Sequence, residues 1–449
     1  MFRILISILF MEKRRNFMFN QFIDKLQKIA NPIANKLNST KEFVAIRDGM
    51  IATTPVTIVG AVGILMANLP FLDKFAPNVN TFLVNFFSQL GTISIGMLTV
   101  TILIAVANSY SEQLKINKLY GIIVSFLSFL VISNFSYKGA GEVAGKAVEK
   151  LSVANVIPTA LFSAQGIFPA LITTIISLKI YHYFIKRDIT IKLPDAIPEN
   201  VTKSFTSIIP MFVVLLFFLV VRFGFSLTPY GYFSDFMYQM FTQPLLALGD
   251  SIWAIAIFIL IQQLLWFFGI HGANVVGVVW RPILLTMMAA NLDAYNAGHA
   301  LPYIVSLTFW EVYSGVFNFA IPLTLIFGCK SERAKSMGKF SWIPSIFLVH
   351  EPFMYGLPVV MNVYMFIPFI FVYLLQFFLV YGLAVLHIAP IPVVPVPWTT
   401  PIILSGFIST NFNIMGSLIQ ILLIVVGFFG YLPFVKAMDK QFLKEEQGL

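Results

Sequence analysis

A glutamate that directly follows a histidine and directly precedes a proline, His350-Glu351-Pro352, stands between long apolar runs in residues 341–362, SWIPSIFLVHEPFMYGLPVVMN. An ionised carboxylate in lipid costs roughly 3 kcal/mol on insertion scales, so Glu351 is expected to face a wet cavity or a hydrogen-bonding ligand. Pro352 removes a backbone donor, and Gly356 with Pro358 interrupts a regular helix. Broken backbone at membrane depth is tolerated only where protein or a cavity surrounds it, and the segment reads as a re-entrant hairpin. Two further interruptions carry polar groups that lipid would not accept, FGIHGAN at 268–274 and PWTTP at 397–401. Their chemistry is complementary. Glu351 accepts hydrogen bonds from hydroxyls, a neutral His271 donates and accepts, Gly272 lets backbone approach a ligand, and Trp398 offers an aromatic face to the apolar side of a sugar ring. A carboxylate within hydrogen-bond reach of an alcohol also accepts its proton. Trp398 equally fits an interfacial anchor, and a lone buried histidine is more often a packed core residue. The five histidines lack local ligand spacing, so no metal is expected, and no cofactor either.

The elements that must position these residues are membrane helices. Of 449 residues, 58% are hydrophobic and 11% charged, more apolar surface than one soluble core could hide. The expected fold is an all-α polytopic membrane protein with about ten transmembrane helices plus re-entrant hairpins. The net charge of +9 comes in short clusters between apolar runs, so basicity reports topology and not a nucleic-acid partner. A single cysteine, Cys329, excludes an internal disulfide and a cysteine-built metal site, and reads as an inert membrane-edge thiol.

Ten spans are expected, at about 49–69, 82–108, 119–135, 157–185, 208–225, 252–270, 275–290, 303–327, 364–386 and 416–434. Cationic clusters at 13–47, 111–118, 186–203 and 330–339, with the cationic carboxyl terminus, put those segments and both termini on the cytoplasmic face. The Glu351 segment must then enter and leave on one side, which supports the hairpin independently of its prolines. A second hairpin is expected over 387–413, where prolines at 390, 392, 395, 397 and 401 forbid a regular helix. The organisation follows. Residues 1–43 form a cytoplasmic segment with a surface helix, whose native start is Met18; 44–227 form a five-span scaffold and dimerisation half. Residues 228–251, without Lys or Arg, form an interfacial linker; 252–436 hold the substrate-binding half and 437–449 a cytoplasmic tail. Glu311, near mid-membrane in EVYSGVFNFAIPL, is either a structural acid paired across helices or a further sugar ligand, and Arg222 reads as snorkelling near a span end.

Taken in order, IRDGMIATTPVTIVGAV at 46–62, SAQGIFPALI at 163–172, FFGIHGANVVG at 267–277, HEPFMYGLPVVMN at 350–362 and VPWTT at 396–400 closely resemble the membrane-embedded C components (EIIC) of the bacterial sugar phosphotransferase system, in the lactose, cellobiose and diacetylchitobiose branch. The resemblance covers about residues 22–442. It implies a homodimer in the bacterial plasma membrane, with the first five spans as scaffold and a mobile half that holds a β-linked disaccharide between re-entrant hairpins. Such a permease subunit is not an enzyme on its own. It presents the sugar 6-hydroxyl to a phosphocysteine on a separate cytoplasmic B protein (IIB), with an A protein (IIA) upstream. Carried over by motif, His271 and Glu351 would hold sugar hydroxyls near the site of phosphorylation, with Gly272 giving close backbone approach, Trp398 packing on a ring and Glu351 accepting the proton. His350 stands where the family pattern has Asn and Tyr355 where it has Phe, departures that bear on which disaccharide is bound and add His350 to the candidate sugar ligands. The competing readings are a proton-coupled secondary sugar transporter, with Glu351, Glu311 and a histidine relaying protons, and a membrane sugar sensor.

Overall fold

The structure, a computed structural model, describes residues 36, 39–67, 69, 75–143, 146–154, 156, 158–194, 197–356, 359–360 and 362–447. The expected surface helix and the Met18 start lie outside the described residues. Two helices, α1 (Lys41–Ala52) and α2 (Thr54–Ala67), continue one another as an apolar stretch of 27 residues. There follow α3 (Pro77–Gly96), α4 (Leu98–Leu114), α5 (Lys118–Ile132), a β-hairpin, α6 (Ile167–Lys186) and α7 (Glu199–Ser226). The second part contains α8 (Phe233–Met237), a π-helical turn (Tyr238–Thr242), α9 (Gln243–Asp250), α10 (Ile252–Phe267), α11 (Gly272–Asn296), α12 (Leu307–Tyr313), a 3₁₀ segment (Ser314–Phe319) and α13 (Ala320–Gly328). It closes with α14 (Glu332–Ile346), α15 (Glu351–Gly356), α16 (Val363–Val385), α17 (Leu404–Ser409) and α18 (Ile414–Glu446). Many helices begin at a short polar residue whose side chain accepts an otherwise orphaned backbone N–H: Asn117 for α5, Ser251 for α10, Ser306 for α12, Ser331 for α14, Asn362 for α16 and Asn413 for α18.

Among the described residues, seven helices are long and apolar enough to cross a membrane, or eight if the bent pair Phe233–Asp250 and Ile252–Phe267 is one span. The difference from ten has local causes. The stretch expected to cross over 82–108 is divided at Met97 into α3 and α4, and the next one is a 15-residue helix, about 22 Å long against a hydrocarbon core of about 30 Å. The expected linker over 228–251 is largely helical and meets α10 at 80°. One element departs from the all-helical expectation. β1 (Ser136–Val143) and β2 (Lys146–Ala154) pair antiparallel with an irregularity between Gly139 and Gly141.

Two cores matter for the site. Leu103, Tyr110, Val124, Leu178, Val214 and Phe218 bury one another wholly within the first part of the chain. Polar ties reinforce them: Glu42 on α1 accepts from Tyr110 Oη at 3.1 Å and pairs with Lys179 Nζ at 2.6 Å. Arg222 does more than snorkel, since its Nη1 donates to the carbonyls of Val131 and Ser133 at 2.6 and 3.0 Å and closes the end of α5. The larger core joins both parts, from Met50, Ile102 and Ile167 to Trp280, Phe309 and Leu423. Ser163, in the SAQG motif, adds a hydrogen bond to Asp293 on α11 at 2.7 Å across the same seam.

Candidate functional site

His271 lies where α10 has ended and α11 begins. Gly269, at φ +79°, turns the chain, and His271 caps α11 by accepting the Asn274 N–H at Nδ1, 3.2 Å away. An acceptor at Nδ1 puts the proton of a neutral imidazole on Nε2, as a donor. The ring sits 4.2 Å from the indole of Trp266. Gly272 follows for a packing reason visible in the fold: a Cβ there would stand 2.1 Å from the carbonyl oxygen of Gln262, so only glycine lets α11 start against α10.

The Glu351 segment is interrupted, as its residues require. After α14 the chain turns at Leu348, φ +63°, and His350 Nε2 donates to the Gly315 carbonyl at 3.2 Å. Glu351 opens the six-residue helix α15. Its side chain lies outside the described residues, as does that of Tyr355. Residues 387–403 contain no helix, in keeping with their prolines. Within them the Thr400 N–H donates to the Pro397 carbonyl at 2.8 Å, placing Trp398 in a turn with its side chain half exposed, 52%.

This loop is held to the elements around it at several points. Tyr313 Oη donates to Pro390 O at 2.7 Å, and the Ile402 N–H donates to Ile346 O at 3.0 Å, joining the Trp398 loop to the last residue of α14, just before the Glu351 segment. Gln420 on α18 completes the attachment: its Oε1 accepts the N–H groups of Ile403 and Gly406 at 2.7 and 3.1 Å, and its Nε2 donates to Val312 O at 2.8 Å.

Trp398 lines a narrow cleft with Glu311, Arg281 and three threonines where α1 meets α2, Thr53, Thr54 and Thr57. Its water-accessible volume is only ≈ 20 Å³, room for about one water. Glu311 pairs with Arg281 on α11, Oε1 to Nη2, at 3.3 Å. The acid is therefore paired across helices. Arg281 is the residue that reading the sequence missed, although a guanidinium inside the apolar run 275–290, followed one span later by a carboxylate, was a usable signal. The structure brings Trp398 and Glu311 together in this cleft, and His271 and His350 are not among the described residues that line it.

Residues 47–372 match the family model described as the phosphotransferase system, EIIC. The chain belongs to the EIIC family. Two relatives match almost end to end: an oligo-β-mannoside-specific EIIC component of Bacillus subtilis (strain 168), 32% identical over 94% of this chain and 96% of the relative, and a cellobiose-specific EIIC component of Geobacillus stearothermophilus, 32% identical over 96% and 97%. Among solved structures, the transporter ChbC, the IIC component of the N,N′-diacetylchitobiose-specific phosphotransferase system, matches with a TM-score of 0.87 and 31% identity, covering 94% of this chain and 99% of that one. This EIIC chain is a multi-pass helical membrane protein, as the apolar helices require. The family match takes in His271, Gly272, His350 and Glu351 along with Arg281 and Glu311.

Proposed function

We infer that this EIIC chain is the permease component of a sugar phosphotransferase system that binds a β-linked disaccharide, carries it across the plasma membrane and presents its 6-hydroxyl to a separate phosphorylated B protein, itself charged by an A protein. The observation that carries the reading is the half-exposed indole of Trp398 in one cleft with a charged pair, Arg281 and Glu311. An aromatic face beside directional donors and acceptors is what a pyranose requires, with apolar C–H groups on one side and hydroxyls at its edge. The relatives are specific for cellobiose, oligo-β-mannoside and N,N′-diacetylchitobiose, sugars that share the β linkage.

In this reading Glu351, His271 and His350 attend the reacting end of the sugar and Gly272 sets the close approach of α11 to α10. Transfer consists of attack by the 6-hydroxyl oxygen on the phosphorus of the B protein's phosphocysteine. The O–P bond forms, the S–P bond breaks, the thiolate leaves, and the hydroxyl proton passes to the Glu351 carboxylate. Residues 44–227 serve as scaffold and dimer contact, 228–251 as the connection and 252–436 as the mobile substrate-binding half, with both termini cytoplasmic.

Uptake into membrane vesicles tests it. Labelled disaccharide should be recovered inside as the 6-phosphate, only when phosphorylated B protein is supplied on the cytoplasmic face. Accumulation of unmodified sugar driven by a proton gradient, without the B protein, would overturn the reading in favour of a secondary transporter.

A further inference from the structure

Three features of the Arg281–Glu311 cleft go beyond packing. The pair meets at 3.3 Å, Arg281 Nη2 to Glu311 Oε1, with the two side chains 29% and 18% exposed. Arg281 Nε is buried without a hydrogen-bond partner, an unmet donor that a structural pair would be expected to satisfy. The cleft around them is lined by the Trp398 indole on one side and by Thr53, Thr54 and Thr57 of the scaffold on another. A buried ion pair is weak support for a fold compared with apolar residues of the same volume, and stability alone does not account for one between membrane helices.

The pair is also tied through the backbone to the Glu351 segment. Glu311 precedes Gly315 by four residues on one continuous helical stretch, and Gly315 is the carbonyl that His350 holds. Four residues rise roughly 6–8 Å along a helix that passes from α to 3₁₀ geometry, about the length of one pyranose. His350 is adjacent to Glu351 in sequence, so about one helical turn and one hydrogen bond link Glu311 to the segment that carries Glu351.

We propose that Arg281 and Glu311, beneath Trp398, form the subsite for the second ring of the disaccharide, the ring that does not receive phosphate. Glu311 accepts from one ring hydroxyl, and the guanidinium donates through its unmet Nε to a neighbouring one. In the present conformation the subsite is shut to ≈ 20 Å³ within ≈ 380 Å³ of empty space that includes its open mouth, so a ring enters as the scaffold wall and the α11–α12 wall part. This assignment rests on the phosphotransferase reading and narrows it: the pair sets the preference for a disaccharide over a monosaccharide.

The test is a ratio of affinities on purified, full-length protein. Cellobiose, lactose and diacetylchitobiose are each titrated against the methyl β-glycoside of the matching monosaccharide, in wild type, Glu311→Gln, Arg281→Lys and the exchanged pair Arg281→Glu with Glu311→Arg. Glu311→Gln should weaken the bound disaccharide roughly tenfold to a hundredfold, as expected for a hydrogen bond to a charged group, and leave the monosaccharide glycoside within about twofold. Arg281→Lys, which keeps the charge but loses the fork, should shift the ratio in the same direction and provides the reading if the Gln variant does not fold. The exchanged pair should fold like wild type and still fail to recover disaccharide affinity. Recovery in the exchanged pair, or an equal loss for both sugars in the single variants, would show a purely structural pair and overturn the proposal. Wild-type protein that binds none of the three disaccharides would instead overturn the sugar-permease reading itself.

Discussion

Gln420 donates through Nε2 to the carbonyl of Val312, 2.8 Å away and one residue beyond Glu311. The same amide accepts from Ile403 and Gly406 and also donates to Ser405 Oγ at 2.9 Å, so one fully buried side chain on α18 fixes both the loop that carries Trp398 and the helix that carries Glu311. Replacing Gln420 by Leu keeps the volume and leaves the Ile403 and Gly406 donors and the Val312 acceptor unmatched. At about 1–3 kcal/mol for each orphaned group, the expected loss is about 3 kcal/mol or more. Thermal unfolding in detergent should show a clearly lower Tm, together with weaker sugar binding. An unchanged Tm would contradict the hub role.

Gly272 and Gly277 lie on the same helix and should respond oppositely to alanine. At Gly272 the new Cβ meets the Gln262 carbonyl oxygen at 2.1 Å, a backbone atom that cannot rotate away, whereas at Gly277 nothing lies within 4 Å. Gly272→Ala should cost about 1–3 kcal/mol by overpacking and displace the His271 cap. Gly277→Ala should be neutral or stabilising by up to about 1 kcal/mol, through the higher helix propensity of alanine. Folded yield and uptake measured on both variants separate the steric argument from a general intolerance of α11.

Cys329 is buried, 5% exposed, beside Asp439, and burial followed by the neighbouring carboxylate pushes its thiol up to about 12. Because the thiolate is the reactive form, native protein should alkylate very slowly with maleimide at pH 7 to 9 and faster as pH rises toward 12. The unfolded chain has a thiol near 8.5, so the native state retains a proton that the unfolded state gives up. The resulting stabilisation is fully present below about pH 8.5 and is lost as pH rises through the folded value. Asp439 also accepts from the N–H groups of Lys330 and Ser331 at 2.7 and 3.0 Å and from Ser331 Oγ at 2.5 Å, anchoring the start of α14. Asp439→Asn removes both the charge and part of that anchor, and should speed labelling markedly. Equal labelling rates would contradict the carboxylate's part.

The site was legible in the sequence wherever chemistry and hydropathy conflicted. Prolines inside an apolar run at 387–403 could not be helical, and a carboxylate inside the earlier apolar run 303–327, Glu311, needed a partner or a ligand. Hydropathy says little about geometry within an apolar run. The break at Met97 leaves the apolar pattern unchanged, and Pro244, within the stretch expected to be a linker, is accepted at the first turn of α9, where its missing N–H costs nothing. Ser136–Val143 and Lys146–Ala154, polar stretches of small residues, pair as strands through backbone hydrogen bonds that composition does not reveal. Arg281 was hidden for the opposite reason, since one cation hardly alters the mean of an otherwise apolar span.

Glu351 carries the sharpest expectation for chemistry. Gln at this position keeps the shape and a carbonyl acceptor while removing the negative charge that takes a hydroxyl proton, so binding and transfer should separate. Glu351→Gln should retain measurable affinity for the disaccharide and lose phosphorylation by roughly 100-fold to 10,000-fold, the usual range for a general base. Glu351→Ala should weaken binding as well, because hydroxyls of the sugar would face an unfilled apolar gap. A purely architectural carboxylate would behave differently, lowering membrane abundance in both variants through misassembly. Abundance, sugar affinity and phosphorylation by the phosphorylated B protein are to be measured on the same preparations. A well-folded Gln variant that phosphorylates at the normal rate would remove Glu351 from the reaction.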